Sequence, residues 1–220
     1  MSKLPALDEA SGKTLLASYG IAVPRSVVLR NADEAERTLE GLSSPFAVKV
    51  MSRDILHKSD AGGVRVNLAG APAVREAIGA MAALPAIASA TVDGWLVEEM
   101  APAGQEIVVG GLRDPQFGPL VMVGLGGIFV EVLGDVSFRI CPIDRIDAEE
   151  MLDELKGAAI LAGARGRKAV SRAAIVDVLI KMGGENGLLM QRADIEEADV
   201  NPLIVSESGA VAVDARFILA

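Results

Sequence analysis

Helix-like and strand-like patterns alternate along this chain. Residues 8–19 read as a helix closed by Gly20, with Leu15, Leu16 and Tyr19 on its apolar side. Val27–Leu29 is a short β-branched run, and Ala32–Leu42 a charged helix. In Phe46–Met51 the residues Phe46, Val48 and Val50 share one strand face, and Lys49 looks out from the other. Val64, Val66 and Leu68 form a second alternating set after Gly62-Gly63. Val74, Ile78 and Met81 recur at helical spacing. The irregular stretch Leu84–Gly94 marks an internal boundary, giving lobes over residues 1–94 and 95–220. Beyond it come strand candidates at Trp95–Met100, Glu106–Leu112, Leu120–Val123 and Ile128–Leu133. A helix follows from Asp147, with Glu150 at capping-box spacing, and another runs from Ser171 to Gly183 over Ile175, Val178, Leu179 and Met182. Residues 200–213 form two strands around Ser206–Gly209. The pattern is α+β, in two lobes.

Composition narrows the chemistry. Of 220 residues, 51% are hydrophobic and 23% charged, a globular balance. Aromatics are only 3% and the net charge is −9, which argues against a nucleic-acid or membrane role. The apolar stretch 119–133 is interrupted by Gly124, Gly126, Gly127 and Glu131 and is too short to span a bilayer. The N-terminal residues lack the apolar core of a signal peptide, so a cytoplasmic protein is expected. One cysteine, Cys141, excludes an internal disulfide, and one histidine, His57, excludes a multi-histidine metal site.

The C-terminal hairpin carries the sharpest physical clue. With Ser206–Gly209 as a four-residue loop, Val205 pairs with Ala210, and the same register sets Asn201 opposite Asp214. Facing side chains have Cβ atoms about 5 Å apart, close enough for an amide oxygen and a carboxylate to share one hard cation. Asp199 lies on the same side of the strand. An Asx-turn or a polar sheet face is the competing explanation. Oxygen donors without His or Cys suit Mg²⁺ carrying nucleotide phosphates.

Three further features admit two readings each. Lys49, within an apolar strand, is either a phosphate contact or a snorkelling side chain on an edge strand. His57, in the polar loop Asp54–Gly63, is either a catalyst or a surface residue. Gly124-Leu125-Gly126-Gly127 either offers backbone N–H groups to an oxyanion or is a tight connection between strands. Cys141, beside Pro142, reads as a core thiol.

Taken in order, these features resemble an ATP-grasp fold, two α+β lobes with a nucleotide site between them. More narrowly, the chain resembles the β subunit, or ATP-grasp domain, of the ADP-forming (NDP-forming) acyl-CoA synthetases, relatives of succinyl-CoA synthetase. The resemblance runs from Leu15-Leu16-Ala17-Ser18-Tyr19-Gly20-Ile21 to Ala212-Val213-Asp214-Ala215-Arg216. Its blocks are Ala47-Val48-Lys49-Val50, residues 55–64 around His57, Arg113–Pro119, and Gly124–Glu131.

The resemblance implies that Lys49 contacts nucleotide phosphates and that Glu98, Glu99 and Met100 form a hinge reading adenine, largely through backbone groups. It places Glu106 on the sugar side of ATP or ADP, makes Asn201 and Asp214 the Mg²⁺ ligands, and makes His57 a phosphoryl carrier. Residues 55–60 depart from the glycine- and arginine-rich loop of succinyl-CoA synthetases, which puts that activity in doubt. The chain also lacks a CoA-binding Rossmann domain and a second histidine. The implied partner is therefore a CoA-binding α subunit, or a fused domain, carrying a second catalytic His, in a hetero-oligomer acting on a small carboxylate and its acyl-CoA. Two rival readings are an ATP-grasp carboxylate–amine ligase, which needs no His57, and a non-catalytic nucleotide-sensing module of a larger acyl-transfer protein.

Overall fold

A computed structural model of the chain describes residues 5–55, 57–127, 134–163 and 168–220. The expected strand Ile128–Leu133, with Glu131, lies outside the described residues. The chain divides into two compact units: Pro24–Ala101, and a second assembled from the residues up to Val23 and those from Pro102 onward. The division expected at 94/95 is corrected, because that cut separates strand β5 (Gly94–Glu99) from the sheet in which it is a central member.

The smaller unit is a four-stranded antiparallel sheet in the order β2 (Ser26–Leu29), β5, β3 (Phe46–Met51), β4 (Val64–Leu68). Its core joins Val48, Val50, Trp95 and Val97 of the two central strands to Val74, Ile78 and Met81 of helix α3 (Ala71–Ala82). The helix expected over Ala32–Leu42 is instead a 3-10 turn, Ala32–Glu34, followed by the four-residue α2 (Ala35–Thr38). Only Ala35 and Leu39 of this segment are buried, too narrow a stripe to hold a longer helix. The stretch after Leu84 contains a single helical turn, α4 (Pro85–Ala88).

The larger unit is a seven-stranded antiparallel sheet, in the order β1 (Ala6–Leu7), β11 (Arg216–Leu219), β9 (Ile195–Ser206), β6 (Gln105–Asp114), β7 (Gly118–Leu125), β8 (Val136–Ile140). β10 (Gly209–Ala212) pairs with β9 beside β11. Helix α1 (Glu9–Ser18) follows β1, and Asp8 caps it by accepting from the Ser11 N–H. On the core face lie α5 (Arg145–Asp153) and α7 (Arg172–Gly183), with the short turns α6 (Ala158–Leu161) and α8 (Leu188–Gln191). α7 starts and stops as its pattern predicts, with Ser171 accepting from the Ala174 N–H. The capping box of α5 lies three residues before the expected one. The Asp144 carboxylate accepts from the Ile146 and Asp147 N–H groups, and the Asp147 carboxylate accepts from the Asp144 N–H.

The hairpin register is as expected, with Val205 opposite Ala210, but the loop is shorter. Ser206 itself pairs with Gly209, leaving a two-residue loop at Glu207-Ser208. Among the described residues no helix is long and apolar enough to cross a membrane.

Candidate functional site

In the smaller unit, β3 lies between β5 and β4, so Lys49 occupies a central strand. It is 8% exposed, and its Nζ lies 3.0 Å from Oε2 of Glu98, itself 1% exposed. The edge-strand snorkelling reading is thereby corrected: in this interior position the ammonium is held by a carboxylate, which offsets the cost of its burial. An ammonium fixed in this way can meet an anionic ligand without first being ordered.

Glu99 and Met100 follow directly. The Glu99 carboxylate accepts from the Arg25 guanidinium and from the Ser43 N–H, and the Arg25 hydrogen bond holds it below the usual carboxylate range. The Glu99 N–H donates to Arg25 O and the Met100 N–H to Pro45 O, both at 3.0 Å. These two N–H groups are committed within the unit, so an adenine contact at this segment would use carbonyls or side chains.

His57 is exposed and opens a helical turn. Ala61 donates to His57 O, Gly62 to Ser59 O and Gly63 to Lys58 O, at 3.2, 3.0 and 2.7 Å. The loop is anchored on both sides. The Asp54 carboxylate accepts from the Thr91 N–H at 2.8 Å, and Val50 N–H donates to Gly63 O at 2.9 Å. Gly62 has φ +71°, and a Cβ on Gly63 would lie 2.5 Å from Val50 Cγ1. Only glycine lets the chain pass β3 so closely.

In the larger unit the pairing of β9 breaks at one place on both edges. Toward β6, Ile107 faces Leu203 and Val109 faces Val200, so Asn201 and Pro202 together oppose Val108 in a β-bulge. On the other edge, β10 pairs up to Leu203 and β11 resumes at Asp199. Residues 213–215 cross this gap, the Val213 N–H donating to Pro202 O at 3.1 Å and the Ala215 N–H to Asp214 Oδ1 at 2.8 Å. Asp214 thus lies in the crossing that runs past the part of β9 holding Asn201. Asp199 adds a carboxylate whose pKa is pushed up first by burial, then by the negative charges of Asp214 and Glu197. Negative charge accumulated in this way is what a bound dication relieves. Among the described residues no group of three His, Cys, Asp or Glu side chains is placed to hold a metal. An amide and one or two carboxylates form the sparse donor set that Mg²⁺ completes with water and phosphate.

On the sheet face away from the helices, Asp199 borders a cavity of about 430 Å³ walled by Gly110, Leu112, Met122, Phe138 and Ile218. An apolar wall beside oxygen donors suits a ligand with a flat apolar part and an anionic part.

Residues 2–219 match the ATP-grasp domain family. The chain is 45% identical over 215 residues to the acetate–CoA ligase [ADP-forming] I subunit beta of Pyrococcus furiosus, covering 97% of this chain and 91% of that one. The chain belongs to the ATP-grasp family, among the β subunits of ADP-forming acyl-CoA ligases. It is also 41% identical over 211 residues to the acetate–CoA ligase [ADP-forming] I of Archaeoglobus fulgidus, covering 96% of this chain but only 30% of that longer protein. The acetyl-coenzyme A synthetase 1 of Ca. Korarchaeum cryptofilum superposes with a TM-score of 0.90 at 41% identity, covering 98% of this chain and 93% of that one. That structure holds coenzyme A and Ca-AMPCP; another of the same protein holds Mg-AMPPCP, with a phosphohistidine segment pointing towards the nucleotide binding site.

Within this ATP-grasp chain the expected residues fall into two groups. Lys49, His57, Glu98, Glu99 and Met100 lie in the smaller unit; Glu106, Asn201 and Asp214 lie in the larger. Glu106 is exposed on β6, and its carbonyl accepts the Gly126 N–H at 2.8 Å. A Cβ on Gly126 would lie 2.7 Å from Glu106 Cβ. Gly126 is therefore a close strand connection, and its N–H is committed rather than offered to an oxyanion. The partnership of Lys49 with Glu98 was not anticipated. Its sequence signal is that these are the lone cation of β3 and the first acid after the apolar run Trp95–Val97 of β5.

Proposed function

We propose that this chain is the nucleotide-binding subunit of a cytoplasmic ADP-forming acid–CoA ligase and carries a phosphoryl group on His57. The observation that carries the reading is the exposed histidine on a loop anchored at both ends, in the same unit as the buried Lys49–Glu98 pair. A neutral imidazole is nucleophilic near pH 7, and its phosphoramidate is labile enough to pass on. The partner is a CoA-binding α subunit, or fused domain, with its own catalytic histidine; the single-chain relative, of which this chain spans 30%, supports that arrangement.

His57 takes the phosphoryl group from the partner's phosphohistidine, the P–N bond there breaking as the new one forms. The group then passes to the terminal oxygen of ADP, restoring the imidazole. Lys49 offsets phosphate charge. Asn201 and Asp214 would hold Mg²⁺, which supplies charge neutralisation at the phosphates. The net reaction is acyl-CoA + ADP + phosphate ⇌ carboxylate + CoA + ATP.

Mg²⁺ and γ-labelled ATP test this in the presence of the α partner. Acid-labile, base-stable label on wild type and none on His57→Ala is the expected result. Label on this chain in both proteins, or full turnover by His57→Ala, overturns the relay; no label on wild type together with amine-dependent ADP release favours the amine-ligase reading.

A further inference from the structure

The buried face of α1 is Glu9, Gly12, Lys13 and Leu16, so two of its four inward positions are charged. Glu9 and Lys13 are 6% and 3% exposed, with Lys13 Nζ 2.8 Å from Glu9 Oε1. At a helix surface such a pair adds only slightly to stability. Buried, its desolvation offsets most of the attraction, and apolar side chains of similar volume serve stability as well or better. Stability alone does not account for it.

Its location does. β1 pairs with β11, Leu7 opposite Phe217, which sets α1 against the chain that follows Asp214. A Cβ on Gly12 would lie 3.2 Å from Ala215 O and 3.1 Å from Phe217 Cδ2. The same Ala215 donates its N–H to Asp214 Oδ1. One residue thus touches the helix beside Lys13 with its carbonyl and fixes the Asp214 carboxylate with its amide. On the far side of this crossing, the Ala212 and Val213 N–H groups donate to Ala22 O and Pro202 O.

We propose that Lys13, oriented by Glu9, is a positioning residue for Asp214: its buried ammonium backs the 213–215 crossing and holds the carboxylate toward the cation it shares with Asn201. The proposal rests on the reading of Asn201 and Asp214 as the metal ligands. It predicts that the pair governs metal affinity and not nucleotide affinity as such.

The test uses Mn²⁺ as the metal probe, read by electron paramagnetic resonance in the presence of ADP, with metal-free ADP binding measured by calorimetry. Lys13→Met is expected to raise the Mn²⁺ Kd about tenfold, the effect of removing a partner that orients a metal ligand. Metal-free ADP binding stays unchanged, and Lys13→Arg recovers much of the loss. The double variant Glu9→Met/Lys13→Met covers the case in which the single change unfolds the chain. It should melt at or above the wild-type temperature and still lose Mn²⁺ affinity. Wild-type Mn²⁺ affinity in a folded Lys13→Met or Glu9→Met/Lys13→Met variant overturns the proposal. Unchanged Mn²⁺ affinity in Asp214→Asn would instead overturn the metal-site reading, and this inference with it.

Discussion

Lys49 Nζ and Glu98 Oε2 stand 3.0 Å apart although the two residues are not directly opposed. The β3–β5 register sets Lys49 against Leu96 and Glu98 against Ala47, so the ion pair runs diagonally across one sheet face. Removing the cation alone leaves a buried carboxylate. Lys49→Met is expected to cost about 3 kcal/mol in urea denaturation. The double change Lys49→Met/Glu98→Met recovers most of that stability without restoring ADP binding, which calorimetry measures. Equal ADP affinity in the double variant would show that Lys49 serves the core only.

Gly63 offers a way to disturb His57 without touching it. An added methyl meets Val50 Cγ1 at 2.5 Å and Lys58 O at 3.1 Å. Gly63→Ala should lower stability by about 1–3 kcal/mol through overpacking. Histidine phosphorylation should fall further than nucleotide affinity does, because the loop must move off β3. Phosphoryl labelling alongside a thermal melt separates the two effects.

Asn201 sits in a bulge, so its side chain is aimed by the backbone rather than by packing. Asn201→Ala should leave the melting temperature within a few degrees of wild type, while weakening Mg²⁺-dependent ADP binding about tenfold or more. Raising the Mg²⁺ concentration should restore binding, as a calorimetric titration series would reveal.

Glu154 ties α5 to β8 by accepting from the Arg139 guanidinium and from the Ser137 hydroxyl, which together pull its pKa down from 4.5 to about 2. A depressed carboxylate contributes stability that is present above its unfolded pKa and is lost as pH falls through the folded one. The wild-type advantage over Glu154→Gln should therefore hold above pH 4.5 and disappear between there and pH 2. Melting curves of both proteins across that interval provide the measurement.

Cys141 is buried, and burial pushes its thiol up to about 11. At pH 8 almost none is thiolate, so a colourimetric disulfide reagent should react slowly with the native chain and stoichiometrically in urea. Gly183 packs so closely here that a Cβ on it would lie 2.9 Å from Cys141 Sγ. Rapid native-state labelling would mean that this packing opens readily.

Periodicity revealed α3, α7 and the central strands because their apolar residues recur at one spacing and face one core. It did not reveal β1, only two residues long, or β8, in which Ser137 and Arg139 face the core side and Phe138 and Ile140 are half exposed. The hairpin arithmetic sets Asn201 opposite Asp214, and the β9–β10 ladder keeps that register as far as Leu203 and Ala212, where its pairing stops. The bulge at Asn201 was not legible, since it depends on pairing with β6, almost a hundred residues earlier in the chain. The charged stripe on α1 was missed for a related reason: Glu9 and Lys13 look like solvent-facing residues until β11 is laid beside them.

That last pairing also fixes an order of events during synthesis. The unit from Pro24 to Ala101 is contiguous, and every strand of its sheet has left the ribosome by the time Ala101 emerges. β1 must wait for Phe217 and Ile218. The smaller unit can therefore fold first, while α1, with two buried charges on its inner face, stays solvated until the final strand arrives.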